Sequence, residues 1–500
     1  LLMKPALPIK SRFSLIPFFL ALQPLFFVLH GFVENYGYIQ MIDCCWLVLM
    51  YWLITAAVYF LFYWLYRETT RAALAVMSLQ SFYFFFGAVH EFFFRHILFL
   101  HRYVFFLPLS FVMLTGVLVW LKKTRRKLAG LTLFLNLLFC VYLILDVKTL
   151  LLIPVSPAPR SLYIDKAPSS SGYRSCDTCP SPDIYFLLFD EYASSASLKE
   201  WYGFDNSELD RSLEERGFHI QRGSHSNYNS TAFSMASILN MGYLQGLAGG
   251  DTCTIADYAA CNTLIRDNAL VEFLSSRHYA IVNYSIFGLA GKPALVDEPL
   301  LPTGTNLITA QTFSGRLTRD IGWNLITLPF HFQWMRKMAY RTLDNNNKIL
   351  EAVKKESRTS AAHARFVYAH LEMPHNPFYF DRDNRLREPA DQPNGIRPYL
   401  DYLPYTNSRI KELIDTIQLN THGSAVIILM GDHGFRWELP GRGHLNYFQN
   451  QNAVYFPDKD YHMLYDSISG VNQFRVLFNQ LFDQHFPLLK DSVVFLTDKK

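Results

Sequence analysis

The chain has 500 residues, 50% of them hydrophobic and 16% aromatic, with 42 Phe and 29 Tyr and a formal net charge of only +4. That length exceeds one ordinary domain, and so small a net charge excludes the basic footprint of a nucleic-acid binder. The apolar excess is concentrated in residues 1–153, which predicts a membrane unit there and a water-facing unit behind it.

Crossing the hydrocarbon core takes about 20 mostly apolar residues, because a helix rises about 1.5 Å per residue. Five stretches qualify: 13–33, 44–66, 72–94, 103–121 and 129–153. The first follows Lys4, Lys10 and Arg12 with no small-residue cleavage site after it, so it is expected to remain as an anchor. The third is interrupted by Gln80, His90 and Glu91, and with His96 and His101 the last two are expected to be ordinary interfacial groups. Lys and Arg mark the cytoplasmic side. Lys4, Lys10, Arg12, Arg67, Arg71, Lys122, Lys123, Arg125, Arg126 and Lys127 fall on one side, and only Arg95 and Arg102 on the other. With five spans, everything after residue 153 is then extracytoplasmic. The expected location is the cell inner (cytoplasmic) membrane, multi-pass, with the second unit periplasmic.

Residues 154–182 are rich in Pro and Ser and read as a linker. Cys44, Cys45 and Cys140 lie in predicted spans and are expected to pack as small apolar groups. Cys176, Cys179, Cys253 and Cys261 lie outside them, where an even number in an oxidising compartment suggests disulfides 176–179 and 253–261. A zinc site on the same four residues is the rival reading.

From residue 183 to residue 500, buried-strand patterns alternate with amphipathic helices, which predicts an α/β domain with a largely parallel sheet. Ligands of such sheets sit beyond the carboxyl ends of the strands. One apolar strand, 183–189, ends in Asp190 and Glu191; another, 425–430, runs into Gly431, Asp432, His433 and Gly434. Carboxylates beside an imidazole suit Zn or Mn, with Mg and Ca as further candidates. A polar loop from Ser226 enters a helix near Thr231. A hydroxyl there either caps the helix or uses its positive end to carry negative charge.

Taken together, the strand ending in Asp190, the Thr231 loop, the Pro374-His375-Asn376-Pro377-Phe378 run, Asp432-His433-Gly434, and the stretch from Tyr465 to Arg475 resemble the alkaline phosphatase/sulfatase superfamily. The closest resemblance is to its membrane-anchored hydrolase/transferase branch, relatives of lipoteichoic acid synthases and phosphoethanolamine transferases. It covers about residues 183–485. The resemblance implies an alkaline-phosphatase-like α/β fold behind the helical bundle. It also implies a metal held by Asp190, Thr231, Asp432 and His433, with Thr231 as nucleophile and His375 and His444 on substrate oxygens. Glu191 and Arg442 are further candidates. His370, in mid-strand, is expected to be structural.

Formylglycine sulfatases of the superfamily need Cys or Ser in a C/S-x-P-x-R context, whereas this chain reads Thr231-Ala232-Phe233-Ser234-Met235. A threonine alkoxide suits phosphorus instead. The expected activity is transfer of a phospho-alcohol group from a phospholipid donor to a cell-surface glycan or lipid acceptor, through phospho-threonine. A membrane-anchored hydrolase releasing its product to water is the alternative, and a non-catalytic membrane scaffold the second.

Overall fold

The computed structural model describes all residues except 1–15, 37–38, 98–101, 153–161, 166–167, 169–171, 177, 248–251, 254, 290, 296–304, 322–335, 338, 389–390, 442 and 499–500. The chain divides into two compact units. Leu1–Pro157 folds with Glu298–Leu325, and Ala158–Asp297 folds with Ile326–Lys500.

The first unit holds α1 (Phe19–Glu34), α2 (Met41–Tyr66), α3 (Thr69–His96), α4 (Tyr103–Lys123) and α5 (Ala129–Leu152). Among the described residues, four helices are long and apolar enough to cross a membrane, namely α2, Thr69–Phe93 of α3, α4 and α5. Helix α1 has 16 residues. It rises about 24 Å, against about 30 Å of hydrocarbon. The expected five full spans are therefore corrected to four and one shorter apolar helix. The start of α1 has a local cause. Phe19 N–H donates to Asn136 Oδ1 on α5 (2.8 Å), and Asn136 Nδ2 donates to Ile16 O (2.9 Å). A buried amide from another helix thus satisfies an otherwise orphaned helix-end donor. On α2, Trp46, Leu53, Phe60 and Trp64 are exposed, as lipid-facing side chains are.

The segment Glu298–Leu325 lies between elements of the second unit in sequence yet packs with the first. Its described part contains the short helices Asn306–Thr309 and Phe313–Arg316. Gly87 N–H on α3 donates to Gln311 O (2.9 Å), an approach only glycine allows, since a Cβ would lie 2.6 Å from that oxygen. Arg316 is buried, paired with Glu91 and 3.6 Å from Asp320. A buried guanidinium without a counter-charge would be costly, so Glu91 anchors this segment. His90 is buried too, stacked on Tyr103 at 4.3 Å. These two residues are therefore packed groups rather than loose interfacial ones.

The second unit opens with β1 (Tyr163–Asp165), inside the stretch expected to be linker, and it pairs with β4 (Tyr243–Gln245). Its central sheet contains β2 (Ile184–Phe189), β3 (His219–Ile220), β6 (Ala280–Tyr284), β7 (Arg365–Leu371), β8 (Val426–Gly431) and β9 (Asn452–Tyr455), in the order β3-β9-β8-β2-β7-β6. Strands β8, β2, β7 and β6 run parallel, and β9 is antiparallel to β8. A two-stranded parallel pair joins β5 (Thr252–Cys253) to β10 (Thr497–Asp498).

The helices are α6 (Ser195–Tyr202), α7 (Ser207–Glu215), α8 (Thr231–Asn240), α9 (Ile255–Arg266), α10 (Ala269–Ser276), α11 (Arg341–Ser357), α12 (Ile396–Asn420) and α13 (Gly470–Phe482). Every residue of β2, β7 and β8 is buried, as expected for strands covered on both faces. Alternate residues Tyr185, Leu187 and Phe189 join the cluster with Ile410, Leu413 and Ile414 of α12. On the other face Phe186 meets Phe474 of α13 edge-on at 5.1 Å.

Cys176 and Cys179 form a disulfide. Cys253 and Cys261 do not: both are buried outside any disulfide, Cys253 on β5 with its Sγ against Thr497 O (3.4 Å) and Cys261 within α9. The second expected bridge is thus corrected. The thiol turned toward the β10 carbonyl is held by the local strand pair. The zinc reading falls with the first bridge.

Candidate active site

Register along the parallel strands sets the site. Phe189, the last residue of β2, lies opposite Leu371 on β7 and Gly431 on β8. The next residues of β2 and β8, Asp190 and Asp432, therefore emerge side by side at the carboxyl edge. His370 arrives one step earlier on β7, opposite Leu188. Two glycines permit the turn after β8. A Cβ on Gly431 would lie 2.5 Å from Tyr192 O, and one on Gly434 2.1 Å from Asn446 O.

Asp190, Asp432 and His433 form a buried group whose ligand atoms lie within 4.8 Å of one another. His433 Nε2 is 3.1 Å from Asp432 Oδ2 and 3.8 Å from Asp190 Oδ1. On the far side of the ring, Nδ1–H donates to Gly434 O (2.8 Å). That bond fixes a proton on Nδ1 and turns Nε2 toward the carboxylates. Asp432 Oδ1 accepts from Glu191 N–H (2.8 Å), whereas Asp432 Oδ2 and Asp190 Oδ1 accept from nothing.

Thr231 joins the group from another element. It is the first residue of α8, and the N-cap position belongs to Ser230. Its hydroxyl is therefore not spent on capping and lies 3.2 Å from His433 Nε2. The α8 N-terminus places unbonded N–H groups beside it, where negative charge is favoured.

Burial raises the pKa of Asp432, and the Asp190 charge raises it further. Burial also acts upward on Asp190, but the imidazoles of His375, His370 and His433 outweigh it and hold that carboxyl below its ordinary range. Two facing buried carboxylates with unpartnered oxygens are costly without a cation. The donors fit one: two carboxylate oxygens, an imidazole nitrogen and a hydroxyl suit a divalent ion such as Zn or Mn.

Around this group the remaining candidates separate. Glu191 is 6% exposed and in the left-handed region (φ 63°), a strained backbone for a non-glycine residue. Its Oε1 accepts from Arg436 N–H (3.0 Å) and Nε (3.2 Å). His375 Nε2 is 3.7 Å from Glu191 Oε2 and 3.3 Å from the Arg436 guanidinium. Burial draws the His375 pKa down, but the charges of Asp190 and Glu191 outweigh it and leave it raised. His444 is exposed and stacked on Phe495 at 4.1 Å, so the structure does not gather it with the buried group. Arg442 lies outside the described residues.

Two residues of this region lie nearer the site than the sequence suggests: His370, expected to be structural, and Arg436, which is not among the candidates. His370 is fully buried with Nε2 3.6 Å from Asp190 Oδ2, and its Nδ1 shares a hydrogen bond with the Tyr368 hydroxyl (3.0 Å). The signal was available, because His370 stands one residue before the end of a strand parallel to the Asp190 strand. Arg436 follows the Asp432-His433-Gly434 turn by two residues and gave no signal, because its partner Glu191 is 245 positions away.

No protein-family model matches this sequence, and no curated protein matches it. Solved structures are similar at low identity. The C-terminal periplasmic domain of EcEptC from Escherichia coli, in complex with Zn, aligns at 10% identity with a TM-score of 0.38, over 67% of this chain and 92% of that one. The phosphonate monoester hydrolase SpPMH from Silicibacter pomeroyi aligns at 11% identity and a TM-score of 0.38, over 62% and 75%. A protein in the alkaline phosphatase superfamily from Vibrio parahaemolyticus aligns at 10% and 0.36, over 66% and 72%.

Proposed function

We propose that this chain is a metal-dependent enzyme that transfers a phospho-alcohol group from a phospholipid to a surface glycan or lipid, through phospho-Thr231, outside the cytoplasm. The observation that carries this reading is the Thr231 hydroxyl, free of capping, 3.2 Å from a nitrogen of the buried Asp190–Asp432–His433 group. Asp190, Asp432, His433 and Thr231 would hold the ion. When bound, a divalent cation lowers the pKa of a hydroxyl and neutralises charge on phosphoryl oxygens.

The chain's own residues supply the rest. Thr231 Oγ, at the positive end of α8, gives up its proton and attacks phosphorus; the bond to the diacylglycerol oxygen breaks, and that oxygen takes a proton, so none is gained or lost overall. His375 is poised between Glu191 and Arg436 to give that proton or to hold a non-bridging oxygen. An acceptor hydroxyl then attacks phospho-Thr231, loses its proton and restores the free threonine. Helices long enough to cross a bilayer favour a lipid donor, because they confine enzyme and donor to one surface.

The test is a chase with headgroup-labelled phospholipid and a surface glycan fraction. Label is expected first on the Thr231 peptide and then on the acceptor. Label released only as free phospho-alcohol would replace transfer with hydrolysis; no labelled Thr231 at any time would overturn both.

A further inference from the structure

Helices α1 and α5 carry a charged pair that the chemistry above does not use. Asp146 is 7% exposed, with Oδ1 3.0 Å from His30 Nδ1. His30 Nε2 is in turn 3.4 Å from Glu34 Oε1. This one imidazole thus stands between two carboxylates. Asp146 Oδ2 has no hydrogen-bond partner, an expensive condition within a helix bundle of this apolarity.

The Asp146–His30 pair lines a half-open cavity of about 610 Å³, whose wall includes Phe26 of α1, Phe85 of α3 and Leu138 and Tyr142 of α5. From Leu138 to Asp146 the helix rises about 12 Å, so the lining along α5 runs from apolar side chains to the carboxyl group. Phe26 stacks on both His30 (5.2 Å) and Tyr142 (5.1 Å), so the cavity that Asp146 lines has an aromatic wall. A buried carboxylate oxygen without a donor is completed by an ammonium group, and an aromatic wall suits the alkyl chain behind it. An anionic head would meet two carboxylates against one imidazole.

We propose that this cavity binds an amphiphile bearing a cationic amine head, its ammonium on Asp146 Oδ2 and its alkyl chain along Phe26, Phe85 and Leu138. The site is separate from the Thr231 chemistry and stands or falls without it.

The experiment titrates the full chain, in a nonionic detergent, with dodecylammonium, dodecanol, dodecyl sulfate and ethylammonium, and counts bound molecules by native mass spectrometry. One saturable dodecylammonium site is expected, at least about tenfold tighter than dodecanol. Asp146→Asn should erase that preference, and Leu138→Trp should block both molecules by filling the cavity. Should Asp146→Asn fail to fold, Glu34→Gln, which alters an exposed carboxylate, should still weaken dodecylammonium binding while leaving dodecanol unchanged. Equal binding of dodecylammonium and dodecanol, ethylammonium binding as well as dodecylammonium, tighter binding of dodecyl sulfate, or unchanged preference in both charge variants would overturn the proposal.

Discussion

The two ends of the central sheet hold charged residues under opposite conditions. At the amino end, Arg365 opens β7, and Asp183 directly precedes β2. Arg365 Nε and backbone N–H donate to Asp183 (3.1 and 2.7 Å), and the guanidinium also donates to Glu356 Oε1 (2.9 Å), Glu356 O (2.8 Å) and Thr359 O (3.1 Å). The second oxygen of Glu356 accepts from Tyr284 (2.9 Å). At the carboxyl end, Asp190 Oδ1, Asp432 Oδ2 and His370 Nε2 are buried with no hydrogen-bond partner. The same strands thus end in a saturated network on one side and an unsaturated one on the other. Saturated charges hold a fold together; unsaturated ones await a ligand, and folding free energy is given up to keep them so.

Substitutions at the two ends should therefore act on different quantities. The largest effect is expected from Thr231→Ala, which should lower turnover at least about a thousandfold by removing the attacking atom. Its melting temperature should stay close to wild type, and turnover within tenfold of wild type would break the assignment. At the opposite end, Arg365→Met should cost about 3–5 kcal/mol of stability by leaving Asp183 and Glu356 without their partner. Denaturant titration of the detergent-solubilised chain measures it, and zinc affinity should not change.

Metal addition comes next in size. Zinc at about a hundred times its Kd should stabilise the wild-type chain by about 2.7 kcal/mol, read as a rise in melting temperature that chelator reverses. Asp432→Asn should abolish that rise. The smallest effect sharpens the contrast most. With chelator present, Asp432→Asn should be as stable as wild type or more stable by about 1 kcal/mol, since it removes one of two facing carboxylates. A clear destabilisation would mean that the carboxyl edge is a structural network like the amino edge.

These features differ in how far sequence discloses them. Asp190, Asp432 and His433 were legible because an apolar run that stops at a polar residue marks a strand's end, and parallel strands bring such ends together. Thr231 was readable only as a hydroxyl near a helix start; whether it capped the helix depended on a one-residue shift, decided by Ser230 taking that place. His370 reads as structural because its sequence setting is mid-strand, whereas it stands one residue before the end of β7 and 3.6 Å from Asp190 Oδ2.

The excursion of residues 298–325 into the first unit was illegible for another reason. Its helices are one turn long and carry no periodicity, and its anchor is a pairing of Arg316 with Glu91 across 225 positions. Likewise, 13–33 reads as a full span by apolarity alone, whereas α1 starts at Phe19 because Asn136 satisfies its end from another helix.

Anomalous diffraction at the zinc edge, from crystals of the zinc-loaded full chain, tests the central claim most directly. A peak is expected about 2.0–2.3 Å from Asp190 Oδ1, Asp432 Oδ2, His433 Nε2 and Thr231 Oγ1. A zinc peak that leaves Thr231 out of reach, or one found only elsewhere in the molecule, would contradict it.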